Sequence, residues 1–130
     1  FIGFKRVPDS IVELVLKCVA ANGIKRVWIL DAAHEVPLIV KVARMAKLAG
    51  IEEVVVVFCF SISPVHTDEY YVQKAREIAL SKDVDTLCLE DQGGLLIPER
   101  VRTLVPALKQ AMGEKPLELH FHCNTIILTY

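Results

Sequence analysis

Two kinds of hydrophobic pattern alternate along this chain. Apolar residues at Ile11, Val12, Leu14, Val15, Val19 and Ala20 recur at helical spacing after Pro8-Asp9-Ser10 and stop at Asn22-Gly23, which predicts a first helix. Val27 to Ala33 is a short β-rich run, with Asp31 near its end. After Glu35 a second helical stripe (Leu38, Ile39, Val42, Ala43, Ala46) closes at Gly50. Ile51 to Phe60 is almost continuously apolar, as expected of a strand covered on both faces. Thr67-Asp68-Glu69 places a capping hydroxyl and two acids at the head of a third helix, predicted to run to about Lys82, and Asp85 to Asp91 reads as the third strand. Pro98 opens a fourth helix to about Met112, ended by Gly113, and Leu117 to His122 is the fourth strand.

Strand starts near Val27, Glu53, Asp85 and Leu117 recur about every 30 residues, the length of a βα unit with its crossover. The expected class is therefore α/β, a parallel sheet with helices outside it. A doubly wound sheet and a (β/α)8 barrel share this rhythm. No G-x-G-x-x-G or G-x-x-x-x-G-K-[ST] follows any strand, so the usual nucleotide-binding fingerprints are missing.

Composition narrows the picture further. The 130 residues are 53% hydrophobic and 24% charged, and 15 Lys+Arg against 16 Asp+Glu leave a net charge of −1. Without a basic excess, and with aromatics at only 7%, a nucleic-acid groove is not expected. The longest apolar run, Val54 to Phe60, is far short of the ~20 residues that cross a bilayer, and no charged leader precedes a cleavage site, so neither membrane insertion nor secretion is expected. Cys18, Cys59, Cys88 and Cys123 form no C-x-x-C pair, which fits reduced thiols in a cytoplasmic protein. A first residue of Phe1 leads us to expect a piece of a longer chain.

Candidate chemistry gathers where strands end: Asp31 and His34; Ser61, Ser63 and His66; Glu90, Asp91 and Gln92; His120, His122 and Asn124. Barrel enzymes build their sites at this rim. In His120-Phe121-His122 the two imidazoles share one strand face and can grip one metal ion, while Leu117, Leu119 and Phe121 take the other face. On the preceding strand Thr86, Cys88 and Glu90 share one parity and Leu87, Leu89 and Asp91 the other. If the apolar pair faces the helices, Glu90 faces the histidines. Met45, Met112 and Trp28 read as buried packing, and Lys5-Arg6 and Arg100-Val101-Arg102 as solvated faces.

Five segments then resemble one known family: Gly3-Phe4-Lys5-Arg6-Val7-Pro8-Asp9, Ile29-Leu30-Asp31-Ala32, Ser63-Pro64-Val65-His66-Thr67 with Glu69-Tyr70-Tyr71, Glu90-Asp91-Gln92-Gly93-Gly94-Leu95-Leu96-Ile97-Pro98, and His120-Phe121-His122. In this order they resemble the carboxyltransferase barrel of biotin-dependent enzymes (oxaloacetate decarboxylase alpha subunit, transcarboxylase pyruvate-binding subunit, pyruvate carboxylase). That barrel is related to 3-hydroxy-3-methylglutaryl-CoA lyase and isopropylmalate synthase.

The resemblance implies that residues 1–130 are one partial (β/α)8 TIM barrel of about four βα units, since a whole barrel needs about 250 residues. It implies a metal-dependent lyase or carboxyltransferase acting on a 2-oxo acid or related carboxylate through a metal-stabilised enolate. The alternatives are an acyl-CoA lyase or condensing enzyme of the same superfamily and a catalytically inactive barrel scaffold. His120 and His122 match the family's metal-binding histidines, with Glu90 as the third ligand and Asp31 and Asp91 as the catalytic-site carboxylates that orient them. The implied cofactor is a divalent ion, Zn²⁺ or Mn²⁺ rather than Mg²⁺. Biotin would enter only through a partner carrier domain or subunit, and the other expected partners are a small carboxylate or acyl-CoA substrate and further copies of the chain in a homo-oligomer. Departures stand out at four positions. Glu90 replaces the family's carbamylated lysine and Trp28 an arginine that grips the oxo acid, while His34 and Ile126 stand where Asn and Gly are expected.

Overall fold

The structure, a computed structural model, describes residues 7–122. Gly3 to Arg6, and Cys123, Asn124, Thr125 and Ile126, fall outside the described residues. Helices and strands alternate as α1 (Asp9–Ala21), β1 (Arg26–Leu30), α2 (Val36–Leu48), β2 (Glu53–Cys59), α3 (Asp68–Ala79), β3 (Thr86–Asp91), α4 (Pro98–Met112) and β4 (Leu117–Phe121). The caps follow the local chemistry. Thr67 Oγ1 accepts from the N–H of Tyr70 at 3.2 Å to start α3, prolines occupy the first turns of α2 and α4, and Gly113 leaves α4 at a φ of 60°. Two expected bounds shift. The third helix ends at Ala79 rather than near Lys82, where Ser81 N–H closes onto the carbonyl of Ile78, and the first strand ends at Leu30 before the polar turn at Asp31.

All three strand pairs are parallel, in the order β1-β2-β3-β4. Right-handed crossovers in a sheet that never reverses its order place every helix on one face, and α1, α2, α3 and α4 pack in succession there. This distinguishes the sheet from a doubly wound one, whose order reverses and whose helices cover both faces. Val54, Val56, Phe58, Leu87 and Leu89, all 0% exposed, face the helices and form the main core with Leu16, Ile39, Tyr71, Ile78, Leu104 and Leu108. The opposite face carries a small apolar group, Val55, Val57 and Cys88 with Leu30 packed on it. Coverage on both faces is why β2 reads as an unbroken apolar run.

That opposite face is concave. β1 and β4 are the two edges, and three strand spacings of about 4.8 Å would hold them roughly 14 Å apart in a flat sheet. Yet Arg26 of β1 is ion-paired with Glu118 of β4, and the Trp28 and His120 rings meet at 5.3 Å between centroids. Side chains from opposite edges converge in this way only if the sheet curls around them.

Both contacts are staggered by the same amount. Along the hydrogen-bonded rows Glu118 pairs through Cys88 and Val57 to Leu30, whereas its ion-pair partner is Arg26, four positions earlier. The Trp28–His120 contact repeats that offset. In an eight-stranded barrel with strands tilted by about 36°, residues at equal height shift by roughly one position per strand, or about three over three steps, and side-chain alternation rounds this to two or four. The curl and stagger are consistent with an arc of a barrel.

Candidate metal centre

Glu90 leaves β3 on the concave face, between Cys59 of β2 and His120 of β4 in the register. The strand end that carries it is tied down by backbone bonds: Phe60 N–H donates to Glu90 C=O at 2.7 Å, and His122 N–H to Asp91 C=O at 3.3 Å. The Glu90 side chain is almost fully buried. Its Oε1 lies 3.3 Å from His122 Nε2, and its Oε2 accepts from Gln92 Nε2 at 3.2 Å. The same Gln92 amide nitrogen donates to Cys59 Sγ at 2.8 Å. The His120 and His122 rings lie 5.1 Å apart, nearly perpendicular.

One ligand atom each from Glu90, His120 and His122 fall within 4.8 Å of one another. Tetrahedral coordination with bonds of about 2.0–2.2 Å sets donors about 3.3–3.6 Å apart, so the Glu90–His122 distance of 3.3 Å already suits a shared ion. His120 is exposed, with its ring against those of Trp28 and His122. Two imidazole nitrogens and a carboxylate suit Zn²⁺ or Mn²⁺ better than Mg²⁺. The residues present fit the group.

The two other carboxylates hold loops. Asp91, fully buried and of the opposite parity from Glu90, accepts the N–H groups of Leu95 (2.9 Å) and Leu96 (2.8 Å) and so shapes the turn that leads into α4. Asp31 accepts the N–H of Glu35 at 2.7 Å at the entrance to α2. Ser63 and His66 meet each other at 2.7 Å in the loop before α3.

His34 lies on the helix side of β2. It is fully buried against Phe58, Tyr70 and Tyr71, at a left-handed φ of 51°. Its Nε2 accepts the Cys59 N–H at 3.0 Å, which requires that nitrogen to be unprotonated, and Nδ1 lies 3.2 Å from the Tyr70 hydroxyl. Burial pushes its pKa down to about 4, helped by His66 and Lys74 and opposed by Asp31. The Tyr71 hydroxyl donates to the carbonyl of Cys59 at 3.1 Å and accepts the N–H of Ser61 at 2.8 Å, so the end of β2 beside Glu90 is held from both sides. Burial raises the Cys59 thiol and pushes Cys88 up to about 12, which leaves both protonated at neutral pH.

Two expectations are corrected. Trp28, read as buried packing, is 38% exposed, because it projects into the open concavity and not among the helices. Arg100, read as part of a solvated face, is half-buried; it pairs with Asp68 and donates to the carbonyl of His66 at 2.9 Å, joining α4 to the loop before α3. Tyr71 as a brace for the end of β2 carried no signal beyond a β-rich aromatic in a helical stripe. Gln92 was visible only as one more polar rim residue.

A singly wound parallel α/β sheet with two imidazoles and a carboxylate converging at its carboxyl edge defines a candidate metal-site domain. No family model matches the chain. Along almost its whole length it is similar to named carboxylase and carboxyltransferase subunits. It is 35% identical over 124 residues to a pyruvate carboxylase subunit of Methanocaldococcus jannaschii, covering 95% of this chain and 21% of that protein. It is 34% identical over 127 residues to the corresponding pyruvate carboxylase subunit of Methanothermobacter thermautotrophicus, again 95% and 21%. To the methylmalonyl-CoA carboxyltransferase 5S subunit of Propionibacterium freudenreichii it is 28% identical over 124 residues, 95% of this chain and 24% of that protein. The chain thus spans between a fifth and a quarter of the length of these curated relatives. Among the described residues, no helix is long and apolar enough to cross a membrane.

Proposed function

We propose that the chain supplies the metal-binding arc of a carboxyltransferase (β/α)8 barrel acting on a 2-oxo acid. The convergence of Glu90, His120 and His122 on the concave face carries the reading, and the names of the relatives support the reaction class. His120 in β4 and His122 just past its end are the imidazole ligands, and Glu90 supplies the anionic oxygen. When bound there, a divalent cation provides a Lewis acid for a substrate carbonyl and stabilises enolate charge.

The remaining roles belong to the chain itself. Gln92 holds Glu90 Oε2, leaving Oε1 directed at His122, so the carboxylate is oriented before any ion arrives. Asp91 positions the loop beside the site through Leu95 and Leu96, and Asp31 does the same at the end of β1. With a carboxylate as third ligand, metal affinity is independent of bicarbonate. Biotin enters on a carrier domain or partner subunit, and a homo-oligomer of a cytoplasmic enzyme completes the proposal.

Equilibrium dialysis of the full-length protein against Zn²⁺ or Mn²⁺ tests this directly. One ion per chain is expected, lost in a His120→Ala, His122→Ala double variant and bound at least tenfold more weakly by Glu90→Gln. Equal metal content in the parent and the double variant would remove both histidines from the site.

A further inference from the structure

The end of β2 is held by two side chains in the place of a neighbouring strand. β1 makes its last pair at Leu30 with Val57 and then turns at Asp31, whose C=O accepts the His34 N–H at 3.0 Å. β2 runs on, and the backbone groups that face that side are taken up by side chains. His34 Nε2 accepts the Cys59 N–H at 3.0 Å. The Tyr71 hydroxyl donates to the Cys59 C=O at 3.1 Å and accepts the Ser61 N–H at 2.8 Å, so one oxygen serves both peptide groups. Both side chains are fully buried on the helix side of the sheet, and the Tyr71 ring stacks on Phe60 at 5.9 Å, which fixes where its oxygen lies.

Glu90 lies along the other edge of the same stretch. Phe60 N–H, between the two clamped residues, donates to Glu90 C=O at 2.7 Å, and Cys59 is the partner of Glu90 in the register. Gln92 Nε2 joins Cys59 Sγ, at 2.8 Å, to Glu90 Oε2, at 3.2 Å. A shift of residues 59–61 therefore moves the Glu90 backbone and its carboxylate together. From this geometry we infer that Tyr71, with His34, is a positioning residue for Glu90, holding its carboxylate where Oε1 and His122 can share one ion. The inference rests on the metal reading above and adds a control exerted from the opposite face of the sheet, by residues that touch no ligand.

Tyr71→Phe tests this by removing one oxygen and keeping the ring. Titration of the metal-free full-length protein with Co²⁺, which takes the same nitrogen and oxygen donors and whose visible absorption reports their geometry, reads affinity and arrangement together. Tyr71→Phe is expected to bind Co²⁺ about tenfold more weakly, the low end of what losing an outer partner of a metal ligand costs, and with a changed visible spectrum. His34→Gln keeps an acceptor for the Cys59 N–H and should stay near the parent, whereas His34→Leu keeps none and should weaken binding as Tyr71→Phe does; this pair decides if Tyr71→Phe fails to fold. Val12→Ala, a core truncation in α1, should leave affinity and spectrum unchanged, which separates positioning from a general loss of stability. In a Glu90→Gln background Tyr71→Phe should cost little more, because the group it acts through has already been altered. An unchanged affinity and spectrum in Tyr71→Phe, or an equal cost in both backgrounds, would overturn this inference and leave the metal reading standing. Failure of the parent to bind Co²⁺ would overturn both.

Discussion

His34 offers a perturbation whose size and sign follow from the structure. Its Nε2 receives the Cys59 N–H, so a proton on that nitrogen would set two donors against each other inside a fully buried aromatic pocket. An unfolded chain takes up the proton near pH 6.5, and the folded chain only near 4. Between those values the unfolded state binds more protons, so stability is fully present above about pH 6.5 and falls as the pH drops toward 4. The whole gap corresponds to roughly 3 kcal/mol, about 2 kcal/mol of which is lost between pH 7 and 5. Other groups titrate in the same window, so the measurement has to be differential. His34→Gln keeps an amide oxygen able to accept from Cys59 N–H and has nothing to protonate. Urea midpoints of the full-length protein and of this variant, at pH 7, 6 and 5, should show the variant less stable by about 1 kcal/mol at pH 7 and overtaking the parent by pH 5. Parallel pH profiles for the two proteins would show that His34 is not the linked group and refute the reasoning.

Other expectations are simpler. Thr67→Ala removes the acceptor for Tyr70 N–H at the head of α3 and should cost about 1 kcal/mol in denaturant titration. Asp91→Asn keeps one of the two oxygens that accept from Leu95 and Leu96, so the loop into α4 should open more often, read as faster hydrogen exchange at those two amides with a global cost of about 1–2 kcal/mol. Lys115→Met leaves the carbonyls of Ser81 and Val84 without the ammonium that joins them; about 1–2 kcal/mol should be lost, measured by the same titration.

Element identity was legible in the sequence because each helix carried its own punctuation: Asn22-Gly23, Gly50, Thr67, Pro98 and Gly113 all lie at helix ends. The parity argument was legible as well. Leu87 and Leu89 face the helices, so Glu90 faces His120 and His122. What periodicity could not convey was the curvature of the sheet. The exposure of Trp28 and its meeting with His120 depend on a contact between the first and last strands, and nothing in either segment alone encodes how far the intervening strands bend. His34 was obscure for another reason. A polar residue in a strand-end turn reads as solvated, and only the folded chain shows that a left-handed φ turns its ring back beneath the end of β2.

The same curvature explains why the proposed metal ligands depend on residues that never touch them. Along β4 and the residue after it, the proposed ligands and the residues that pack on the core alternate, so a slip of one position would send His120 toward the helices and bring Leu119 and Phe121 into the concavity. Leu117 and Phe121 oppose that slip by packing against the main core, and Arg26 opposes it from across the sheet, because its pairing with Glu118 is available only in the observed stagger. A half-exposed ion pair of this kind contributes little to stability. Its contribution is to alignment: it sits two residues below His120 on the same face, at the end of the concavity where no other cation of the described strands projects. The ligand pair is thus registered at three points, by backbone pairing with β3, by core packing on the helix side, and by the Arg26–Glu118 contact on the concave side.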